Sequence, residues 1–147
     1  MKLSTKGRYG LRSMLDLAVY SNGDHVALNA IAERQNISPN YLEQVFSTLR
    51  KAGLVNSVKG AQGGYILADS PSRITVGSIL RALEGKLAIA GENDDIEAKN
   101  QLEYCLRTKV WDAINDSINT VVDSVTLEDL VVEYQKLAGN MSFMFYI

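Results

Sequence analysis

Residues 28–51 read LNAIAERQNISPNYLEQVFSTLRK and hold two short helices with a tight turn between them. Leu28, Ile31 and Ala32 give the first segment one apolar face at helical spacing, and Asn36, which tolerates left-handed backbone, ends it. Ser38 then offers a side-chain oxygen to unpaired backbone N–H groups, and Pro39 sits where its missing N–H costs nothing, so a second helix begins here. Leu42, Val45, Phe46 and Leu49 form its core-facing stripe. Outward or beside that stripe stand Pro39, Asn40, Glu43, Gln44, Ser47 and Arg50, rich in groups that hydrogen-bond base edges or phosphates. The pattern is that of a helix-turn-helix with its second helix as reader. Taken alone, it also fits an ordinary helical hairpin.

The residues that follow narrow the choice. Gly53 closes the second helix, and 54–58 (LVNSV) and 65–68 (YILA) read as short strands around the glycine-rich KGAQGG. Two helices followed by such a hairpin is the winged-helix order. The glycines let the loop tip approach another backbone, and Lys59 brings a cation beside Gly60, which suits a wing laid against phosphates or a minor groove. An ordinary flexible hairpin is the competing reading.

With 147 residues, the chain is one domain, or one domain with an appended arm. Its 46% hydrophobic and 22% charged content is ordinary for a folded protein. Neither a secretory leader nor an apolar run long enough for a bilayer is present, so a cytoplasmic protein without membrane contact is expected. The single cysteine excludes an intrachain disulfide. The net charge of −2 divides unevenly. Residues 1–86 carry eleven Lys and Arg against six Asp and Glu, a net of +5, whereas 87–147 carry four against eleven, a net of −7. That asymmetry suggests a basic binding face with the acidic half held away from phosphates.

The first twelve residues hold Lys2, Lys6, Arg8 and Arg12 in a segment that turns helical at Ser4 or Thr5. Positive charge opposes the macrodipole there, so the cations point either to a phosphate or to a merely solvated terminus; Tyr9 suits packing or a phosphate oxygen. The polar stretch 21–27 carries the only histidine, His25, to which no role is assigned. Residues 69–73 read as a loop and 74–84 as a helix ended by Gly85. Residues 86–95 form a linker ending in an acidic cluster. A long helix is expected over about 96–124, with Leu102, Leu106, Val110, Trp111, Ile114, Ile118 and Val121 on one side. Such a helix needs cover, which the same helix of a second copy supplies most simply; folding back onto its own domain is the other possibility. Thr126 caps a short last helix, 127–137, ended by Gly139, and 141–147 form an apolar tail.

Several strings together, KLSTKGRYGLR, SPNYLEQVFSTLRKAGLVNSVKGAQGGYIL, ITVGSILRALEG, TLEDL and the final MFYI, resemble the winged-helix, Rrf-type transcription-regulator family that contains the iron-sulfur cluster regulator IscR. The likeness covers nearly the whole chain, and TLEDL and MFYI look like the CymR branch, the cysteine-metabolism repressors. The resemblance implies a homodimer on partly palindromic operator DNA. Position by position, it puts Ser38, Pro39, Asn40, Tyr41, Glu43, Gln44 and Ser47 at or near the duplex, with Glu43 and Gln44 as base readers. Lys2, Thr5, Lys6, Arg8, Tyr9, Ser38 and Arg50 serve as backbone contacts, joined by Lys59 and Gly60 of the wing. Cluster-bearing members use three cysteines plus a further ligand, and here only Cys105 is available, within a helix where a buried thiol is the ordinary case. No cofactor or metal is therefore expected.

The sequence thus describes a mainly α protein with a small β-hairpin wing. Residues 1–86 form a winged helix-turn-helix domain, with the two-helix unit at 28–51 and the wing at 54–68, and 87–147 form the linker, dimerisation helix, last helix and tail. The expected function is a homodimeric repressor of cysteine and sulfur genes without catalytic activity, with the cysteine-synthesising enzyme O-acetylserine thiol-lyase as the partner the resemblance implies. Two alternatives stay open: a redox or iron-sulfur-type regulator acting through Cys105, and a winged-helix module used for protein contacts only.

Overall fold

The computed structural model describes residues 2–89 and 100–146. Helix α1, Thr5–Tyr20, is capped by Ser4; α2, Leu28–Gln35, ends at Asn36 in the left-handed conformation (φ 55°). Helix α3, Pro39–Lys51, follows after a short turn, with Pro39 in its first turn and the Ser38 hydroxyl accepting the Tyr41 N–H. Gly53 (φ 79°) then lets Leu54 N–H donate back to Leu49 O at 3.0 Å, so the chain leaves the helix sharply. Strands β1, Val55–Val58, and β2, Gly64–Leu67, pair antiparallel with Val55 opposite Leu67 and Val58 opposite Gly64. The second strand begins one residue before the sequence suggests. At that point a Cβ on Gly64 would lie 2.1 Å from Val26 O, a contact only glycine permits.

Residues 69–73 are not wholly irregular, since Pro71–Arg73 make one 3₁₀ turn. Helix α4 is Val76–Glu84, shorter than the expected 74–84 because Thr75 takes extended backbone and caps it, its hydroxyl accepting Ser78 N–H at 3.0 Å. Gly85 (φ 79°) ends α4 as expected.

The long helix departs from expectation in two ways. Asn100 is extended and caps α5, Gln101–Leu106, by accepting the N–H groups of Leu102 and Glu103, so the helix starts there and not at 96. A wider turn, Arg107–Trp111, interrupts it before α6, Asp112–Ser124. Residues 96–99, with the acidic cluster of the linker, lie outside the described residues. Leu87, at the start of the expected linker, is buried against Val76 and Leu80. The last helix, α7, runs over Leu127–Tyr146, through Gly139 and most of the expected tail. Thr126 and Asp129 cap it reciprocally, and beyond Gly139 no proline follows; one glycine costs a helix only about 1 kcal/mol.

The core joins both halves. Met14, Leu17, Ile31, Leu42, Phe46, Leu49 and Ile79 are fully buried, and so is Leu127 of α7. The junction before α7 is sewn to the start of α4 by Val76 N–H to Val125 O (2.8 Å) and Leu127 N–H to Ile74 O (2.9 Å). Close approach of α1 to α4 depends on Gly7 and Gly10, where an added Cβ would lie 2.3 Å from Glu84 Oε1 and 2.2 Å from Leu83 Cδ1.

Candidate nucleic-acid interface

Helix α3 is held from behind by Leu42, Val45, Phe46 and Leu49, all buried. Their burial fixes the rotation of the helix, and Asn40, Glu43, Gln44, Ser47, Thr48 and Lys51 therefore line one open polar hollow on the opposite side. Four of these six are residues the sequence singled out. Thr48 and Lys51 were missed, although they continue the three-and-four spacing of Asn40, Glu43, Gln44 and Ser47. Arg50 is exposed, and Tyr41 is half-buried against the core with its ring edge-on to Tyr9, the centroids 6.2 Å apart. Both tyrosines thus pack, and the Ser38 hydroxyl serves as a cap.

Three side chains of α1, Asp16, Tyr20 and Arg12, hold α2 in place. Asp16 of α1 is buried, and its carboxylate accepts from Arg34 Nε at 3.0 Å, Arg34 Nη2 at 2.7 Å and Gln35 Nε2 at 2.7 Å. This fork raises the Arg34 guanidinium above its ordinary value, chiefly through the hydrogen bonds to Asp16. The same guanidinium lies 3.9 Å from the Tyr20 ring centroid. Arg12, grouped by the sequence with the amino-terminal cations, instead donates to Gln35 O at 3.2 Å and stacks on Tyr9.

The other cations have an explanation that the sequence did not reveal. Glu84 Oε1 accepts the N–H of Ser4 and of Gly7, each at 3.0 Å, and the Ser4 hydroxyl. A carboxylate from α4 thus stands at the α1 N-terminus, where the macrodipole favours negative charge. Lys2, Thr5 and Arg8 are exposed around it and Lys6 is half-buried. At the wing, Lys59 and Gly60 (φ 120°) are exposed at the tip, and Phe46 packs its ring 4.9 Å from that of Tyr65, joining α3 to β2.

These features match a known lineage. Residues 3–133 match the Rrf2 family, described as iron-dependent transcriptional regulators. The chain belongs to the Rrf2 family. It is 45% identical to the regulator CymR of Bacillus subtilis over the full length of both chains. Among solved structures it is similar to CymR, the global cysteine regulator of B. subtilis (44% identity, TM-score 0.76, 90% of this chain and 98% of that one). It is also similar to IscR of T. potens (44% identity, TM-score 0.74, 93% and 90%). The winged-helix fold is the one these Rrf2 structures share, and the family consists of DNA-binding transcription regulators, not enzymes.

The iron in the Rrf2 description asks for ligands. Cys105 is the single cysteine of the chain, and among the described residues no three His, Cys, Asp or Glu side chains converge. One thiol does not fit an iron-sulfur cluster, which takes several. Cys105 is moreover exposed, against the expectation of a buried thiol, and α5 has no buried residue. No helix among the described residues is long and apolar enough to cross a membrane.

The expected pairing stripe is divided. Ile118 and Val122 pack on Val76, Leu80 and Leu87 of their own chain, and Arg81 reinforces this with Asp123 at 2.7 and 2.9 Å and with Asn119 Oδ1 at 2.6 Å. Leu102 (78% exposed), Leu106, Ile114 and Val121 (60%) stay open, while Val110 and Trp111 are half-buried. Ala113, Ile114, Ser117 and Val121 border a shallow apolar trough.

Proposed function

We propose that the protein is a homodimeric, sequence-specific repressor of cysteine and sulfur-supply genes that works in the cytoplasm without an iron-sulfur cluster. The observation that carries this reading is the polar face of α3, presented on the basic half of the chain beside a cationic wing. In this reading residues 1–86 bind the duplex and residues 87–147 pair the subunits. Glu43 and Gln44 read base edges, with Asn40 and Ser47 beside them. Lys2, Thr5, Lys6, Arg8, Ser38, Arg50, Lys59 and Gly60 engage the phosphate backbone.

Pairing through Leu102, Leu106, Ile114 and Val121 is supported by their exposure, since an apolar row of that length is normally covered. Two reader helices then enter successive major grooves of a partly palindromic site. The cysteine assignment rests on full-length similarity to a global cysteine regulator. O-acetylserine thiol-lyase is the partner through which metabolite state would be sensed.

A genome-wide map of bound promoters tests the reading. It should return sulfur-assimilation and cysteine-supply genes, with one paired-half-site motif; a regulon of another kind overturns the cysteine assignment. A second reading, redox sensing, is favoured by the exposure of Cys105. Replacing Cys105 with serine should leave operator affinity and its response to peroxide unchanged; a lost peroxide response would establish that alternative.

A further inference from the structure

We propose that His25, in the loop between α1 and α2, is a positioning residue for the DNA-binding wing. A two-stranded hairpin is marginal by itself, and β1 and β2 have four residues each. Their last pair is Val58 with Gly64, so 59–63 project beyond the ladder. The ladder is fixed near its loop end by Val26, whose N–H donates to Tyr65 O at 2.8 Å and whose carbonyl accepts Tyr65 N–H at 2.9 Å. The tip is closed on itself by Gly63 N–H to Gly60 O at 3.1 Å, which shapes the loop without saying where it points. His25 supplies that missing restraint: its Nε2 is hydrogen-bonded to the Gln62 carbonyl.

A carbonyl only accepts, so Nε2 carries the hydrogen in this contact. The ring is itself oriented. Asp24 Oδ1 accepts the His25 backbone N–H at 2.7 Å, which chiefly holds the Asp24 carboxyl below its ordinary value, and it lies 2.9 Å from Nδ1, a contact that orients the ring when Nδ1 also carries a hydrogen. His25 and Val26 are adjacent, so two consecutive residues hold the wing, one through the ladder strand and the other at the tip. That stretch leads directly into α2, the first helix of the reader pair. The position of Lys59 and Gly60 is thereby referred to the helix-turn-helix and not to the hairpin alone. The inference rests on the DNA-binding reading and concerns the geometry of the wing within it.

The test compares wild type, His25→Leu and His25→Gln on a duplex selected from a random-sequence pool by the wild-type protein. A second duplex is trimmed of the flanks that the wing reaches. His25→Leu keeps bulk without a donor, whereas His25→Gln retains an N–H at similar reach. We expect His25→Leu to bind the full duplex about three- to tenfold more weakly, the usual range for one lost hydrogen bond, and to lose hydroxyl-radical protection at the flanks only. His25→Gln should restore both, and all three proteins should bind the trimmed duplex alike. Unchanged flank protection in His25→Leu, an equal loss on the trimmed duplex, or failure of His25→Gln to restore binding would each overturn the proposal. A wild-type protein that selects no duplex would instead refute the DNA-binding reading itself.

Discussion

Glu84 Oε1 accepts the Gly7 backbone N–H at 3.0 Å, joining the end of α4 to the first turn of α1. The contact explains how a cationic amino terminus starts a stable helix: the counter-charge arrives from a distant part of the chain. The exposed cations beside it then remain available to a duplex.

Gly7→Ala should break this joint. The new Cβ would lie 2.3 Å from Glu84 Oε1 and 3.0 Å from Glu84 Cδ, and the carboxylate is held in place by its three hydrogen bonds. The gain in helix propensity is outweighed, and a loss of about 1–2 kcal/mol is expected from urea unfolding. An unchanged midpoint would show that Glu84 yields freely.

Arg34→Leu should be more damaging. It leaves the buried Asp16 carboxylate with Gln35 alone, and stranding a buried acceptor beside a half-exposed partner costs about 1–3 kcal/mol. Thermal unfolding should show a large drop in midpoint that Asp16→Asn, made in the same background, partly relieves.

The clamp between α4 and α6 has a pH signature. Hydrogen bonds from Arg81 hold the Asp123 carboxyl below the ordinary 3.8. A depressed carboxyl contributes stability in full above that ordinary value and loses it as pH falls through the lowered one. Wild type and Asp123→Asn should therefore differ in stability at neutral pH, begin to converge as pH falls below 3.8 and meet only below the lowered value. Curves that stay parallel to acid pH would mean that the pair contributes nothing.

Reader and backbone residues should separate by kind. Glu43→Ala or Gln44→Ala should change the preferred bases in a selection experiment. Arg8→Ala or Lys59→Ala should weaken all sequences alike and lower the salt slope by about 1 each. A preference unchanged after replacing both Glu43 and Gln44 would assign specificity to DNA shape.

Val121→Asp places charge on an open apolar site without touching the internal packing of Ile118 and Val122. Sedimentation should show a monomer with an intact circular-dichroism spectrum and weakened operator binding. A persistent dimer would move the pairing surface elsewhere.

Helices α2 and α3 were legible because Asn36, Ser38 and Pro39 mark their boundaries by local backbone chemistry, and the wing because Gly53 and its glycines do the same. The stripe of α3 likewise fixed which side faces outward, though Thr48 and Lys51 needed the helix in three dimensions to be noticed. The long helix was misjudged at its start, since a period of threes and fours runs unbroken across Asn100 while the capping oxygen ends it. Contacts between distant segments left no local trace: Glu84 at the α1 N-terminus and His25 at the wing tip each look like unremarkable polar residues in sequence. The exposure of Cys105 was likewise invisible, because an apolar helix does not announce whether its cover belongs to the same chain.

The burial of Leu127 among Met14, Phe46 and Ile79 means that the amino-terminal half does not own its interior outright. A fragment ending near residue 86 would carry a hole where that side chain sits and would lose the backbone bonds made to Ile74 and Val76. Shortening the molecule to a minimal reader is therefore closed to engineers by this architecture. Any displacement of the carboxy-terminal helices would reach α3 through solid packing, not through a slack tether.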